Sequence, residues 1–195
     1  MWSVITRYLQ PNVPVGGRVL DLGAGYCDFI NNIKAGEKHA LDLYPGFAEF
    51  AAPDVQTHVG SCASLTDFST GYFDAVFESN VLEHLATPVL TSTLAEIRRV
   101  LKPGGRFIAI QPNFRYCYRH YFDDYTHVQV FTHVSLIDLL TSAGFQVQTA
   151  EPRFLPTTFK SRLPAWPCLT ALYLRLPFRP LAGQMLVVSS PNTSS

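Results

Sequence analysis

The sequence predicts an α/β protein built on an open, doubly wound and mostly parallel sheet. Three observations lead there. Short apolar runs of strand length alternate with stretches of helical periodicity along most of the chain. A glycine turn follows the first such run, in VLDLGAGYCDF at positions 19–29. The chain of 195 residues, 47% hydrophobic and 15% charged, can bury the core of one domain and is too apolar to be disordered.

The elements follow in order. Trp2, Ile5, Tyr8 and Leu9 have helical spacing, and Pro11 and Pro14 end that first helix. Positions 18–22 form an apolar strand, and 28–34 read as a helix ending near Gly36. A second strand falls at 39–43, a weaker third at 55–59 and a fourth at 74–77. Leu90, Leu94, Ile97 and Leu101 mark one face of a helix that Lys102, Pro103, Gly104 and Gly105 stop. A fifth strand covers 106–110. Thr132 caps the next helix, whose apolar Leu136, Leu139 and Leu140 lead to Gly144. Strands at 145–147 and 185–188 complete the sheet, and a polar tail from Ser189 is expected to fray. One domain spans 1–195, with a core at 1–150 and a basic, apolar part at 151–195.

Formal net charge is zero, so no nucleic-acid partner is expected. Charge is uneven, with 10 Lys/Arg against 14 Asp/Glu in 1–150 and 5 against 1 in 151–195. Cys27, Cys62, Cys117 and Cys168 are scattered without a CxxC pair, which reads as reduced thiols in a cytoplasmic protein. The first residues, MWSVITRYLQPN, lack the charge and apolar core of a signal peptide. No apolar run reaches the roughly 18–20 residues that span a bilayer.

In sheets of this kind the ligand lies beyond the carboxyl ends of the strands, at the point where strand order reverses. Gly23 and Gly25 permit a tight turn there. A dinucleotide fingerprint would carry its third glycine at position 28, where Asp28 stands and would repel a pyrophosphate. A ligand with a cationic amino-acid end suits the turn better, because Asp21 and the loop carbonyls can face an ammonium. Asp42 ends the second strand about 20 residues on, where an acid can accept from both ribose hydroxyls.

VLDLGAGYCDF resembles the first motif of the class I S-adenosylmethionine-dependent methyltransferases, whose usual form has glycine where Cys27 stands. HVGSCASL resembles their adenine-edge motif, with Ser61 where Asp is commoner. FDAVFESNVLEHL and EIRRVLKPGGRFIAIQPN resemble the fourth and fifth motifs. The matches cover about residues 15–150. The resemblance implies a Rossmann-like, seven-stranded sheet with an antiparallel last strand, and S-adenosylmethionine as cofactor. It assigns cofactor contacts to Asp21, Gly23, Ala24, Gly25, Asp42, Leu43, Ser61, Cys62 and Ser79.

A hydroxyl acceptor of the methyl group benefits from a base that titrates near neutrality. His84, in SNVLEHL, and His127, in RHYFDDYTHVQVFTHVSL, are the candidates, with Asp124 completing the catalytic set. His133 reads as a structural residue in a first helical turn. Asp123, Asp124 and His127 are a less favoured alternative as a metal set, and no metal is assigned. The expected acceptor is a small molecule, a sugar or lipid-linked hydroxyl. The alternatives are a quinone-type or other aromatic O- or C-acceptor, or a non-catalytic S-adenosylmethionine-binding subunit. Segment 160–181, apolar on most sides with Trp166, Tyr173, Arg175 and Arg179, is expected to touch membrane or a lipid-linked substrate, placing a cytoplasmic protein at the inner membrane face.

Overall fold

The computed structural model describes residues 1–156 and 166–192. After a first helix α1 (Trp2–Leu9), strand β1 (Arg18–Leu22) leads into helix α2 (Asp28–Asn32). Strands β2 (Glu37–Asp42), β3 (Val55–Val59) and β4 (Phe73–Ser79) follow. Helix α3 (Thr87–Val100) returns the chain to β5 (Leu101–Pro112), and a short helix α4 (Phe114–Cys117) opens the loop before α5 (His133–Ser142). β6 (Phe145–Pro156), α6 (Pro167–Arg175) and β7 (Ala182–Pro191) complete the described chain. Among the described residues no helix is long and apolar enough to cross a membrane.

The seven strands lie in the order β3-β2-β1-β4-β5-β7-β6. β1 to β5 are mutually parallel, while β7 runs antiparallel to both β5 and β6. Strand order therefore reverses between β1 and β4, where parallel sheets open a crevice. β1 is buried along nearly its whole length because helices cover both faces. Leu20 and Leu22 point to the core beneath α3 and α5, with Leu94, Ile97, Leu136 and Leu140. Val19, one position before Leu20, points to the opposite core, with Ile5 and Leu9 of α1, Phe29 of α2 and Leu174 of α6. Each such fully buried aliphatic side chain contributes about 1.5–3 kcal/mol by leaving water.

Most strand ends differ from the sequence expectation by a few residues, and four departures are larger or structural. α3 ends at Val100, because Pro103 disfavours helical geometry at Lys102. Leu101 already pairs with Phe73, and the 102–105 turn is an irregularity inside β5, with Gly104 at φ +76°. α2 stops at Asn32 because the Gln10 side chain captures the main chain of Lys34 through both its N–H and its carbonyl, at 3.0 and 2.9 Å. β6 is much longer than expected, and the division at position 150 falls inside it. Ser189 and Ser190 do not fray. They are buried in β7, paired with Val147 and Gln146 of β6.

Candidate active site at the carboxyl ends of the parallel strands

Leu22 hands the chain to a loop in which Gly23, Gly25 and Cys27 all take left-handed backbone, at φ +71°, +50° and +57°. A Cβ on Gly23 would stand 2.5 Å from Cγ2 of Val81, so no other residue fits there. Gly25 has open space around it, and its requirement is conformational. Cys27 occupies a left-handed position that costs an ordinary residue roughly 1–2 kcal/mol. Its side chain turns inward, fully buried, with Sγ 3.8 Å from the Phe47 carbonyl. Burial pushes the thiol up to about 11, so it stays neutral.

Asp42, at the end of β2, holds this loop. One carboxylate oxygen accepts from the Gly25 N–H and the other from the Tyr44 N–H, both at 2.9 Å. Each oxygen keeps a further lone pair for a ligand. Behind the loop, Asp21 is buried, and burial pushes its carboxyl up to about 8 against the pull of the Ile30 N–H. A cavity of about 330 Å³ opens beside the loop, with Gly23, Asp42, Leu43, Cys62, Val81 and His84 in its wall.

Ala24, Gly25, Asp21, Ser61 and Ser79 stand outside that wall. The Ser61 hydroxyl accepts from the Ala63 N–H at 3.2 Å, closing its own turn, and Ser79 accepts from the Asn80 amide. The wall also includes Asn80, Gly60 and Leu85, which the sequence reading passed over. Asn80 is left-handed at φ +56°, a conformation Asn tolerates, and an Asn directly after an apolar strand was the available signal.

A tight 3₁₀ turn, Leu82–His84, follows β4. It buries Glu83 completely, and neither of its carboxylate oxygens has a hydrogen-bond partner among the described residues. Burial pushes that carboxyl up to about 8. The Glu83 carbonyl accepts from the N–H groups of Val128 and Gln129, at 2.9 and 3.0 Å. These two bonds pin the loop between β5 and α5 onto the turn and bring His127 to His84, with ring centres 4.9 Å apart. Burial lowers the pKa of His84.

His127 Nδ1 lies 2.7 Å from the Tyr121 carbonyl, an acceptor only, so Nδ1 carries the proton. His84 Nδ1 lies 2.9 Å from the Thr126 hydroxyl, which donates its own proton to Asp124 at 2.6 Å. His84 Nδ1 is therefore a donor too. Both Nε2 atoms are left as bare acceptors, each 4.0 Å from Oε1 of Glu83. The Thr126 hydroxyl holds the Asp124 carboxyl below its usual range.

The structure brings His84 and His127, named from the sequence together with Asp124, to Glu83, which the sequence reading passed over as one more charged residue in a loop. Of the set Asp123, Asp124 and His127 only the last two meet, with Asp124 Oδ2 3.9 Å from His127 Nε2. Asp123 pairs with the exposed His120 at 3.1 Å, away from His127. His133 begins α5 and meets the Asn113 amide at 3.3 Å, in keeping with a structural role. Arg179, expected among outward basic charges, is buried. It bonds Glu151, the Leu174 carbonyl at 2.9 Å and the Tyr8 hydroxyl at 3.2 Å. Part of segment 160–181 lies outside the described residues. In the rest, Trp166, Leu169, Leu172, Phe178 and Leu181 are exposed.

Residues 20–109 match the methyltransferase domain family. Among curated proteins, 124 residues covering 52% of the chain are 32% identical to squalestatin hexaketide synthase of Phoma sp., and the match spans 5% of that much longer protein. A chain in the complex between the Haloferax volcanii Trm112 methyltransferase activator and its methyltransferase superposes with a TM-score of 0.72 at 21% identity, over 98% of this chain and 90% of that one. An S-adenosylmethionine-dependent methyltransferase from Archaeoglobus fulgidus gives 0.71 at 18% identity, over 97% and 94%. At these identities the structural likeness establishes the fold, a seven-stranded mixed sheet with antiparallel last strands. Residues 20–109 thus match a methyltransferase domain and lie on the fold that S-adenosylmethionine-dependent methyltransferases of known structure share.

Proposed function

We propose that the chain methylates a hydroxyl of a small-molecule acceptor, a sugar or a lipid-linked glycan, beside the cavity at the ends of β1, β2 and β4. The observation that carries this reading is the meeting of His84 and His127 at the cavity rim, their unprotonated nitrogens turned towards buried Glu83.

The residues present fit the cofactor. A cavity of about 330 Å³ lies in the range of small-ligand sites. Gly23 leaves its floor clear, and Asp42 offers a lone pair on each oxygen to the ribose hydroxyls. Ser61 and Cys62 take the adenine edge, with Leu43 against the ring. Asp21, behind Ala24 and Gly25, lies beneath the ammonium end, whose positive charge favours loss of the proton that burial keeps on this carboxyl, and Ser79 closes the strand end. When bound, S-adenosylmethionine supplies a methyl group on a cationic sulfur, open to a nucleophile. His84 and His127 activate the acceptor hydroxyl, and Asp124 orients His84 through Thr126. Phe122 and Tyr125, exposed on the pinned loop, cover the acceptor.

The apolar surface around α6 supports a lipid-linked acceptor and a peripheral membrane contact, with Trp166, Leu172 and Phe178 exposed and Arg175 beside them. A second reading, in which a partner protein completes the site, is supported by the likeness to a methyltransferase held in complex with an activator.

The test is transfer of labelled methyl from S-adenosylmethionine to soluble sugars and to lipid-linked glycans. His84→Gln and His127→Gln should each lower turnover roughly 10²–10⁴-fold while leaving cofactor affinity nearly intact. Full activity in both variants, or transfer only to aromatic acceptors, would refute the assignment.

A further inference from the structure

We propose that Glu83, His84 and His127 bind one divalent transition-metal cation, of the Mn²⁺ to Zn²⁺ series, at the edge of the cofactor cavity. The three side chains offer one ligand atom each, and these atoms lie within 4.8 Å of one another. Once Glu83 gives up the proton that burial holds on it, as a cation requires, all three are acceptors. The hydrogen-bond network commits the protons of both histidines to Nδ1, so the two Nε2 atoms have none to share. Glu83 is completely buried, and both its oxygens are unpartnered among the described residues. Two bare imidazole nitrogens facing a bare carboxylate at 4.0 Å are too far apart for a hydrogen bond, and a cation between them satisfies all three. Two imidazoles and one carboxylate are a ligand set that holds first-row divalent metals with a coordination position left open.

The surroundings have the form such ligands need. A metal-binding histidine donates its other ring N–H to a carbonyl or a carboxylate, which fixes the tautomer and turns the ring. His127 does so directly to the Tyr121 carbonyl, and His84 does so through the Thr126 hydroxyl to Asp124. The two main-chain bonds to the Glu83 carbonyl hold the His127 loop against the turn that carries the other two residues. Ligands on one tetrahedral cation at about 2.1 Å stand roughly 3.4 Å apart. The 4.0 Å pairs therefore close by about half an ångström, within the reach of small side-chain rotations. Because His84 is also part of the cavity wall, an open position on the cation is reachable from the cavity. With both Nε2 lone pairs on the cation, the acceptor oxygen is polarised by the metal and not deprotonated by a free imidazole, a use that rests on the methyl-transfer reading above. The site itself does not.

The experiment titrates the chelator-stripped, dialysed chain with Co²⁺, following visible absorption, and repeats the titration with Zn²⁺ by calorimetry. Neither cofactor nor acceptor is added, so the outcome is independent of what the enzyme methylates. One equivalent should bind, with the absorption of nitrogen- and oxygen-ligated Co²⁺. His127→Gln and His84→Gln should each weaken binding more than about 100-fold, beyond the 10–100-fold typical of outer partners, and Asp124→Asn should fall within that range. His120→Gln, on the same loop outside the cluster, should bind as the parent does. Circular dichroism reports whether each variant folds, and Glu83→Gln, which keeps the buried shape, serves as the third ligand variant. No binding by the parent, or affinity unchanged in both histidine variants, would overturn the proposal.

Discussion

Cys27 shows how one residue can answer two opposed demands. Its left-handed backbone favours glycine, whereas its buried side chain fills space beneath the Phe47 turn. In Cys27→Gly the relief of backbone strain and the loss of a small buried group each amount to about 1 kcal/mol and oppose one another. Affinity for S-adenosylmethionine, measured by calorimetry, should therefore stay within tenfold of the parent, or about 1.4 kcal/mol. A larger loss would mean that the thiol contributes to the loop in its own right. Asp21 carries a different signature, in pH. Its folded value of about 8 lies far above the ordinary carboxyl value near 3.9. The folded state thus holds a proton that the unfolded state releases. The associated stability is full below about pH 4 and is lost at about 1.4 kcal/mol per pH unit as pH rises towards 8. Asp21→Asn, compared with the parent by denaturant unfolding at pH 5, 6.5 and 8, should show a shallower decline. Parallel declines would place the titration on other buried acids.

At the scale of the element, the loop from α4 to α5 is fixed where it runs into α5. Val128 and Gln129 pin it on Glu83. A few residues on, at the start of α5, the Thr132 hydroxyl accepts from the Ser135 N–H and the Ser135 hydroxyl accepts from the Thr132 N–H. This reciprocal cap is written in the sequence as Thr132 three residues before Ser135. Thr132→Ala should cost about 1 kcal/mol of stability, seen as a melting temperature lower by roughly 2–4 °C. An unchanged melting temperature would mean that packing of Leu136 and Leu140 alone holds the helix start.

For the whole molecule, Arg179 matters more as a clamp than as a surface charge. It joins the stretch after α6 to Glu151 of β6 and Tyr8 of α1, fastening the last connection to the first helix. Reversal of charge in Arg179→Glu breaks a largely buried pair and opposes two carboxylates. A loss of stability on the order of 2–3 kcal/mol is expected in denaturant unfolding, below the 3–5 kcal/mol of a fully buried pair because Glu151 is partly solvated. Arg179 is therefore the wrong residue with which to test lipid contact. Replacing exposed Leu172 and Phe178 by Ser should reduce co-sedimentation with vesicles of anionic lipid and leave stability unchanged. Equal sedimentation of variant and parent would exclude the α6 surface as the contact.

Much of this was legible in the residues. Strand and helix order followed from periodicity, since a strand buried on both faces must read as an apolar run and a helix on a sheet must repeat every three to four residues. The glycine turn and the Asp42 end of β2 were visible because tight turns and short polar caps leave local signatures. Tertiary structure alone decided what depends on contacts distant in sequence. It placed Arg179 inward against Glu151, held α2 short through Gln10, and drew Ser189 and Ser190 into the sheet. It also brought His127 across 43 positions of chain to Glu83 and His84, whose spacing carries no local periodicity. Local sequence specifies which backbone shapes a segment can adopt, but burial and charge at a point in space depend on whichever segments the fold brings there.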